Sequence, residues 1–150
     1  MQTPDPFVFR PPTPATAPRY ERLREAEIAC WGRIFRTVHP FTDWNTLCLG
    51  VMDRPEHKDF AEVNEATKEF YAVIREVAPE SVDRAAAEMS VRLARMLCNE
   101  AMVCPSGGAD APLKNFNEAQ MEIRKARMLA CAAIALADHA DLPPLPTPAA

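Results

Sequence analysis

Basic and amide side chains recur at helical spacing in the second half of the chain, where they could bind phosphate. Planar guanidinium groups donate paired hydrogen bonds to phosphate oxygens and stack on bases, and Tyr71 or Phe116 offers a ring for the same purpose. The alternative is that these cations are solvated helix flanks paired with nearby glutamates. The predicted ligand-binding residues are Arg84, Arg92, Arg95, Asn99, Lys114, Arg124, Arg127 and Tyr71.

Two pairs of carboxylates have spacing that could hold magnesium. Glu62-Val-Asn-Glu65 followed by Glu80-Ser-Val-Asp83 resembles the ExxE and ExxD motifs of MazG-type all-α nucleotide pyrophosphatases. Glu65 is about 14 residues, or roughly 21 Å of helix, from the turn that carries the second pair. A partner subunit would therefore have to complete such a site.

No other catalytic motif stands out in the sequence. The histidines His39, His57 and His139 lack metal-ligand spacing, and no serine lies in a nucleophile or phosphate-loop motif. We predict no catalytic residue, no metal site and no cofactor. The five cysteines form no CxxC motif and are predicted to be reduced thiols packed in a core, at Cys30, Cys48, Cys98, Cys104 and Cys131.

The composition describes one soluble helical domain. The 150 residues are 48% hydrophobic and 25% charged, with a net charge of -4, and this acidity disfavours general nucleic-acid binding. Helix-forming residues predominate over β-branched and aromatic ones. No membrane-spanning run or signal peptide is evident, so we expect a cytoplasmic protein.

Proline positions separate the expected domain from its ends. Six of the 15 prolines lie in residues 1–18 and four in the last ten residues. These ends are expected to be a disordered N-terminal arm, 1–18, and a disordered C-terminal tail, 142–150. A single all-α domain is predicted between them, at 19–141.

Apolar residues at three- and four-residue spacing predict four helices. The first covers 18–38 and ends before His39-Pro40, and an irregular segment follows at 41–52. The second begins at the cap Asp53 and ends near Val77, and the third runs from the cap Ser81 to Val103. The fourth begins near Asn115 or Asn117 and ends near Ala140. A link of about three residues makes the middle pair a long antiparallel αα-hairpin, the basis of a helical bundle.

The third and fourth helices share an internal repeat. Ala87–Met102 and Ala119–Ile134 are identical at eight of sixteen positions. The repeat is either a duplicated packing surface or a shared interface, and the apolar run 128–137 belongs at a bundle centre or a subunit interface. We expect a homo-oligomer through these helices, with interface residues Met89, Met96, Met121, Met128, Leu129 and Ile134.

The hairpin also resembles a known family. Residues 63–75, the Pro79 link, Arg84 and residues 93–102 are similar to the helical-hairpin domain of phage anti-CBASS and anti-Thoeris sponges. In that family, the second helix of the hairpin carries a small residue, then Met followed by a large apolar residue, then Asn or Lys, and then Ala. The resemblance implies a non-enzymatic homo-oligomer that sequesters cyclic nucleotide signals between subunits. The matching positions are Ala94, Met96, Leu97, Asn99 and Ala101, echoed by Ala126, Met128, Leu129 and Ala133.

Three functions remain open on the sequence alone. The first is sequestration of a small phosphorylated, cyclic nucleotide. The second is a protein–protein interaction or inhibitor module that docks through the apolar fourth helix. The third is the metal-dependent pyrophosphatase. We expect neither membrane binding nor general nucleic-acid binding.

Overall fold

A computed structural model of the protein describes residues 11–42, 55–103, 111–137 and 142–145. These ranges contain no β-strand, which confirms the predicted all-α fold. None of their helices is long and apolar enough to cross a lipid bilayer. The helices are α1 Ala17–Thr42, α2 His57–Val77, α3 Val82–Val103 and α4 Ala111–Leu136.

Ion pairs show that α1 and α2 are antiparallel. Near the start of α1, Arg22 lies 2.5 Å from Glu76, which is near the end of α2. Further along α1, Arg33 lies 2.7 Å from Glu62, which is near the start of α2. The two helices therefore run in opposite directions along their contact.

The fourth helix closes the bundle against the first. Glu27 of α1 pairs with Arg127 in the second half of α4, and Trp31 packs on Phe116 near the start of α4 with ring centroids 5.0 Å apart. These helices are also antiparallel. Since α3 packs on both α2 and α4, the arrangement is an up-down-up-down four-helix bundle, as predicted.

Pro40 and Pro112 were expected to lie outside the helices, but both lie inside one. The first helix continues through Pro40 to Thr42, past its predicted end at Val38. Proline removes only one backbone donor here, close to the helix end, and Thr42 is itself buried. The fourth helix begins at Ala111, earlier than predicted, because Pro112 occupies the first turn, where a helix needs no N–H donor.

The N-terminal cap of α3 is the predicted residue, whereas the N-terminal cap of α2 is not. The backbone N–H of Arg84 donates a 3.1 Å hydrogen bond to Ser81 Oγ, which confirms Ser81 as the cap of α3. The cap of α2 is Glu56, whose N–H donates to the Asp59 carboxylate at 2.8 Å. The predicted cap Asp53 lies outside the described residues, as do residues 43–52 of the irregular segment predicted at 41–52; Phe41 and Thr42 belong to α1 instead. The described end of α4 is Leu136 rather than Ala140.

The internal repeat is a packing surface. Ala87, Ala94, Ala119 and Ala126 are all fully buried, at equivalent positions of α3 and α4. Alanine lets two helix backbones approach closely, and α3 and α4 pack on each other more extensively than any other pair. The packing interpretation of the repeat is therefore confirmed at these positions.

A buried arginine joins the two ends of the described chain. Arg19 is 3% exposed and donates a 2.6 Å hydrogen bond to the Val77 carbonyl at the end of α2. It also donates to the Pro143 carbonyl, and Leu145 packs against the core. Residues 142–145, which we expected in a disordered tail, thus contact the bundle. Burial lowers the pKa of Arg19.

Candidate functional site

The second and third helices form a groove that brings part of the predicted basic band together. Arg75 of α2 lies 3.8 Å from Glu88 of α3. Tyr71 lies four residues before Arg75 in α2, and Arg92 lies four residues after Glu88 in α3. The Tyr71 hydroxyl accepts a 3.2 Å hydrogen bond from Arg92. In this antiparallel register, Tyr71 and Arg75 of α2 lie opposite Arg92 and Glu88 of α3, respectively.

The groove has an apolar floor and a cationic rim. It encloses about 220 Å³. Thr67 and Val91, each 2% exposed, form the floor. The Thr67 hydroxyl donates to the carbonyls of Val63 and Asn64 at 2.9 and 3.0 Å. The lining residues are Thr67, Lys68, Tyr71, Val91, Arg92 and Arg95.

Two guanidinium groups lie over the Tyr71 ring. The carbon at the centre of the Arg92 guanidinium is 5.5 Å from the ring centroid, and that of Arg75 is 5.9 Å away. Both distances are within the range of cation–π attraction. The ring is half-buried, so a ligand that displaces one guanidinium gains an aromatic surface for stacking.

The groove is electropositive in an acidic protein. Lys68, Arg92 and Arg95 line it, while no carboxylate does so among the described residues. Two nearby acids are paired with cations: Glu69 lies 2.5 Å from Arg33 of α1, and Glu88 is near both Arg75 and Arg84. An anion entering the groove therefore meets three lining cations and no lining carboxylate.

Two other predicted ligand residues flank the groove along α3. Asn99 lies one turn beyond Arg95, and its side-chain amide nitrogen is 3.5 Å from Asn64 Oδ1. Arg84 lies at the opposite end, where it donates to the Ala78 carbonyl at 3.3 Å and is 3.6 Å from Glu88. Asn99 extends the site, whereas Arg84 is engaged in the turn between α2 and α3.

The remaining predicted cations do not reach the groove. Lys114 and Arg127 are near glutamates, Lys114 at 3.9 Å from Glu118 and Arg127 against Glu27 of α1. Arg124 lines a separate cleft between α1 and α4. The predicted cations therefore do not share one site: Arg124 and Arg127 lie towards α1, and Lys114 lies near Glu118 of its own helix.

That second cleft is larger but differs in chemistry. It encloses about 430 Å³. Trp31 and Ile28 give it an apolar wall, Arg124 is its cation and Glu27 its carboxylate. One cation and one carboxylate line this cleft, against three cations and no carboxylate in the α2/α3 groove, so it is the weaker anion site.

Sequence reasoning missed Thr67 and Lys68. They precede Tyr71 by four and three residues, so they share its face of α2. The helical period alone could have identified them once Tyr71 was selected. The predicted alternative stacking ring, Phe116, is 5% exposed and packs on Trp31 instead.

The predicted interface methionines are exposed, but two other predicted interface residues are not. Leu129 packs against the core and Ile134 is 1% exposed, so the structure removes both from a free interface. Ala130 and Ala133 are also buried, so one side of the apolar run 128–137 packs inside its own bundle, while Met128 and Leu136 are exposed. The exposed apolar residues of α3 and α4 include Met89, Leu93, Met96, Val103, Met121 and Met128.

The carboxylates of α2 do not assemble a metal site. Glu62 and Glu69 both pair with Arg33, and Glu76 pairs with Arg22. Within the described ranges no group of three or more His, Cys, Asp or Glu side chains is placed to hold a metal ion. The geometry therefore gives the pyrophosphatase hypothesis no support.

The described cysteines are core thiols, as predicted. Burial raises the pKa of Cys30 and of Cys98 to about 12, and free thiols with such values are unreactive at neutral pH. Cys131 is half-buried, and burial raises its pKa although Arg127 opposes the change. Cys48 and Cys104 lie outside the described residues.

Comparison with protein families, curated proteins and solved structures finds no match to this chain. The resemblance of the hairpin to phage sponges therefore stays a prediction.

Proposed function

We propose that the protein is a non-enzymatic binding protein that sequesters a small phosphorylated nucleotide in the α2/α3 groove. One observation carries the proposal. Lys68, Arg92 and Arg95 surround Tyr71, and no carboxylate lines this groove among the described residues, in a chain of net charge -4. This pairing of several guanidinium groups with an aromatic ring suits phosphate and base together.

The binding mode follows from the side chains. Arg92 and Arg95 donate to the phosphate oxygens, while Lys68 adds a cation from the opposite helix. When a phosphate draws Arg92 away from Tyr71, the freed ring face stacks on the base. The groove, at about 220 Å³, is smaller than pockets of roughly 300 Å³ or more that enclose whole ligands. It would therefore hold one phosphate and one ring of a larger nucleotide.

Sequestration fits the groove better than turnover. The Thr67 hydroxyl is committed to the carbonyls of Val63 and Asn64. The other polar lining groups are cations and a phenol, which bind and orient a phosphate. A cyclic nucleotide signal is the ligand class that the sponge resemblance implies, and we place its capture in the cytoplasm, the host cytoplasm if a phage encodes the chain.

A ligand screen with recovery of the ligand tests this proposal. The purified protein is heated with cyclic di- and trinucleotides, cyclic ADP-ribose isomers and linear nucleoside triphosphates. A ligand present at 100 times its dissociation constant stabilises the native state by about 2.7 kcal/mol, a shift of several degrees. We expect one cyclic class to produce this shift and to be recovered intact.

Matched arginine variants connect the shift to the groove. Arg95→Gln is expected to weaken binding at least tenfold, because it removes a charge-assisted hydrogen bond worth about 1.5–3 kcal/mol. Arg124→Gln, in the α1/α4 cleft, should leave binding unchanged. No shift with any nucleotide, or equal losses in both variants, would overturn the assignment, and a degraded ligand would indicate an enzyme.

A further inference from the structure

We infer that the cleft between α1 and α4 is a second small-molecule site, which takes a planar aromatic monocarboxylate. The ring of such a ligand packs on Trp31 and its carboxylate pairs with Arg124. The inference does not depend on the proposed function, because this cleft shares no lining residue with the α2/α3 groove. It rests on the walls of the cleft, on one guanidinium group and on a glycine inside a helix.

The cleft has the size and the apolar walls of a small-molecule site. Its volume of about 430 Å³ falls within the range of roughly 300–1,000 Å³ that is usual for ligand pockets. Ile123 is 1% exposed and forms the floor, while Ile28 and the Trp31 ring line the α1 side. Phe116 packs on Trp31 with ring centroids 5.0 Å apart and so supports the indole ring. A planar ligand ring therefore meets a preformed aromatic surface.

Arg124 is the charged anchor of the cleft. Its side chain is exposed and has no ion-pair partner among the described residues. Glu27, the lining carboxylate, lies against Arg127 instead. The Gln120 side chain, one turn before Arg124 on α4, adds an amide donor to the same wall. This guanidinium and this amide together match the two oxygens of a carboxylate.

The same charges disfavour nucleotides and cations in this cleft. A phosphate with two negative charges would meet one lining cation and would lie near the Glu27 carboxylate. A cationic ligand would be repelled by Arg124, and the Glu27 side chain is 18% exposed and already in contact with Arg127. A monoanion with an apolar body therefore fits the cleft best.

Gly32 leaves room for a ligand in the cleft. Glycine destabilises a helix interior relative to alanine, yet Gly32 lies in the middle of α1, where it lines the cleft. Apart from its own helix backbone, a Cβ here would meet one described atom within 4 Å, Arg36 Nη1 at 3.4 Å, at the end of a flexible side chain. Packing among the described residues therefore does not require glycine, whereas a ligand ring beside Trp31 would use the space.

A matched pair of probes tests the site on the full-length protein. 2-Naphthoate has a planar ring system and one carboxylate, and 2-naphthamide has the same shape without the charge. Titration of each probe, followed by NMR, measures its dissociation constant. We expect 2-naphthoate to bind with a dissociation constant below about 1 mM, as a small ligand with few polar contacts does. 2-Naphthamide should bind about tenfold more weakly, because it lacks the charge that pairs with Arg124.

Three substitutions locate the probe in the cleft. Arg124→Gln should weaken 2-naphthoate binding about tenfold, to the level of 2-naphthamide, because it removes a charge-assisted hydrogen bond. Lys125→Gln, the matched control, removes an exposed cation that does not line the cleft and should change the affinity by less than about twofold. Gly32→Ala should weaken binding at least about threefold while raising the Tm by about 2–4 °C. Since that variant is more stable than wild type, misfolding cannot account for its weaker binding.

Four outcomes would overturn the inference. The first is a wild-type protein that does not bind 2-naphthoate in this concentration range. The second is equal affinity for the two probes. The third is a Gly32→Ala variant that binds 2-naphthoate as tightly as wild type. The fourth is a loss of binding in Arg95→Gln instead of Arg124→Gln, which would assign the probe to the α2/α3 groove.

Discussion

The Arg92 guanidinium on α3 lies over the Tyr71 ring on α2, 5.5 Å from its centroid, and donates a 3.2 Å hydrogen bond to its hydroxyl. The contact holds a cation and an aromatic ring side by side on two helices. The ring and the hydroxyl of Tyr71 thus make two different contacts with the same guanidinium.

Tyr71 therefore supports a prediction that separates its ring from its hydroxyl. Tyr71→Phe keeps the stacking surface and should change nucleotide affinity by less than about threefold, since it removes only one exposed hydrogen bond. Tyr71→Leu removes the ring and should weaken binding about tenfold or more, given the 1–3 kcal/mol that base stacking contributes. Titration calorimetry measures both, and equal losses would contradict stacking.

Glu62 predicts a pH dependence of stability. Arg33 donates a 2.7 Å hydrogen bond to Glu62 and so lowers the pKa of this carboxyl from its ordinary value of 4.5. Because the folded-state pKa is the lower one, the contribution is present above pH 4.5 and is lost as the pH falls through the folded-state value. The Glu62 side chain is 45% exposed, so the loss should be about 1 kcal/mol or less.

Urea unfolding at pH 7 and near pH 3 measures this effect. Glu62→Gln should have a lower unfolding free energy than wild type at pH 7 and should lose less of it on acidification. An identical slope in both proteins would show that the ion pair adds nothing to the native state.

The buried alanines of α3 and α4 predict an intolerance to larger side chains. Ala126 is fully buried at the centre of the repeat. Ala126→Leu would force the two helices apart and should destabilise the fold by about 1–3 kcal/mol. Ala85→Leu, at an exposed position of α3, is the control and should change the unfolding free energy by less than about 0.5 kcal/mol.

Arg19 predicts that residues 142–145 can be released by a single substitution. Arg19→Met removes the donors to the Val77 and Pro143 carbonyls while keeping most of the buried volume. Leu142 and Leu145 are the two residues of this segment with an amide hydrogen, and their exchange should become at least about tenfold faster, a local opening easier by about 1.4 kcal/mol. Arg24→Met, whose parent side chain is 66% exposed, should leave exchange unchanged.

Local spacing was enough to place the helices and the buried faces of α1 and α2, but not that of α3, where Met89, Leu93 and Met96 are exposed. The three- and four-residue apolar period predicted helices at all four observed positions, and Ser81 was correctly identified as a cap. Errors occurred at helix ends. Pro40 and Pro112 were taken as breaks, although a proline in a first or last turn costs little.

The sequence by itself determined the fold class and the positions of the four helices, because a helix repeats every 3.6 residues regardless of its neighbours. The tertiary structure alone decided which cations share a site. Arg92 and Arg95 face Tyr71 because α3 packs on α2. Arg124 and Arg127 occupy equivalent positions of the repeat but face α1 because α4 packs there. Identical local spacing produced two different environments, since the chemistry of a helix face depends on the helix packed beside it.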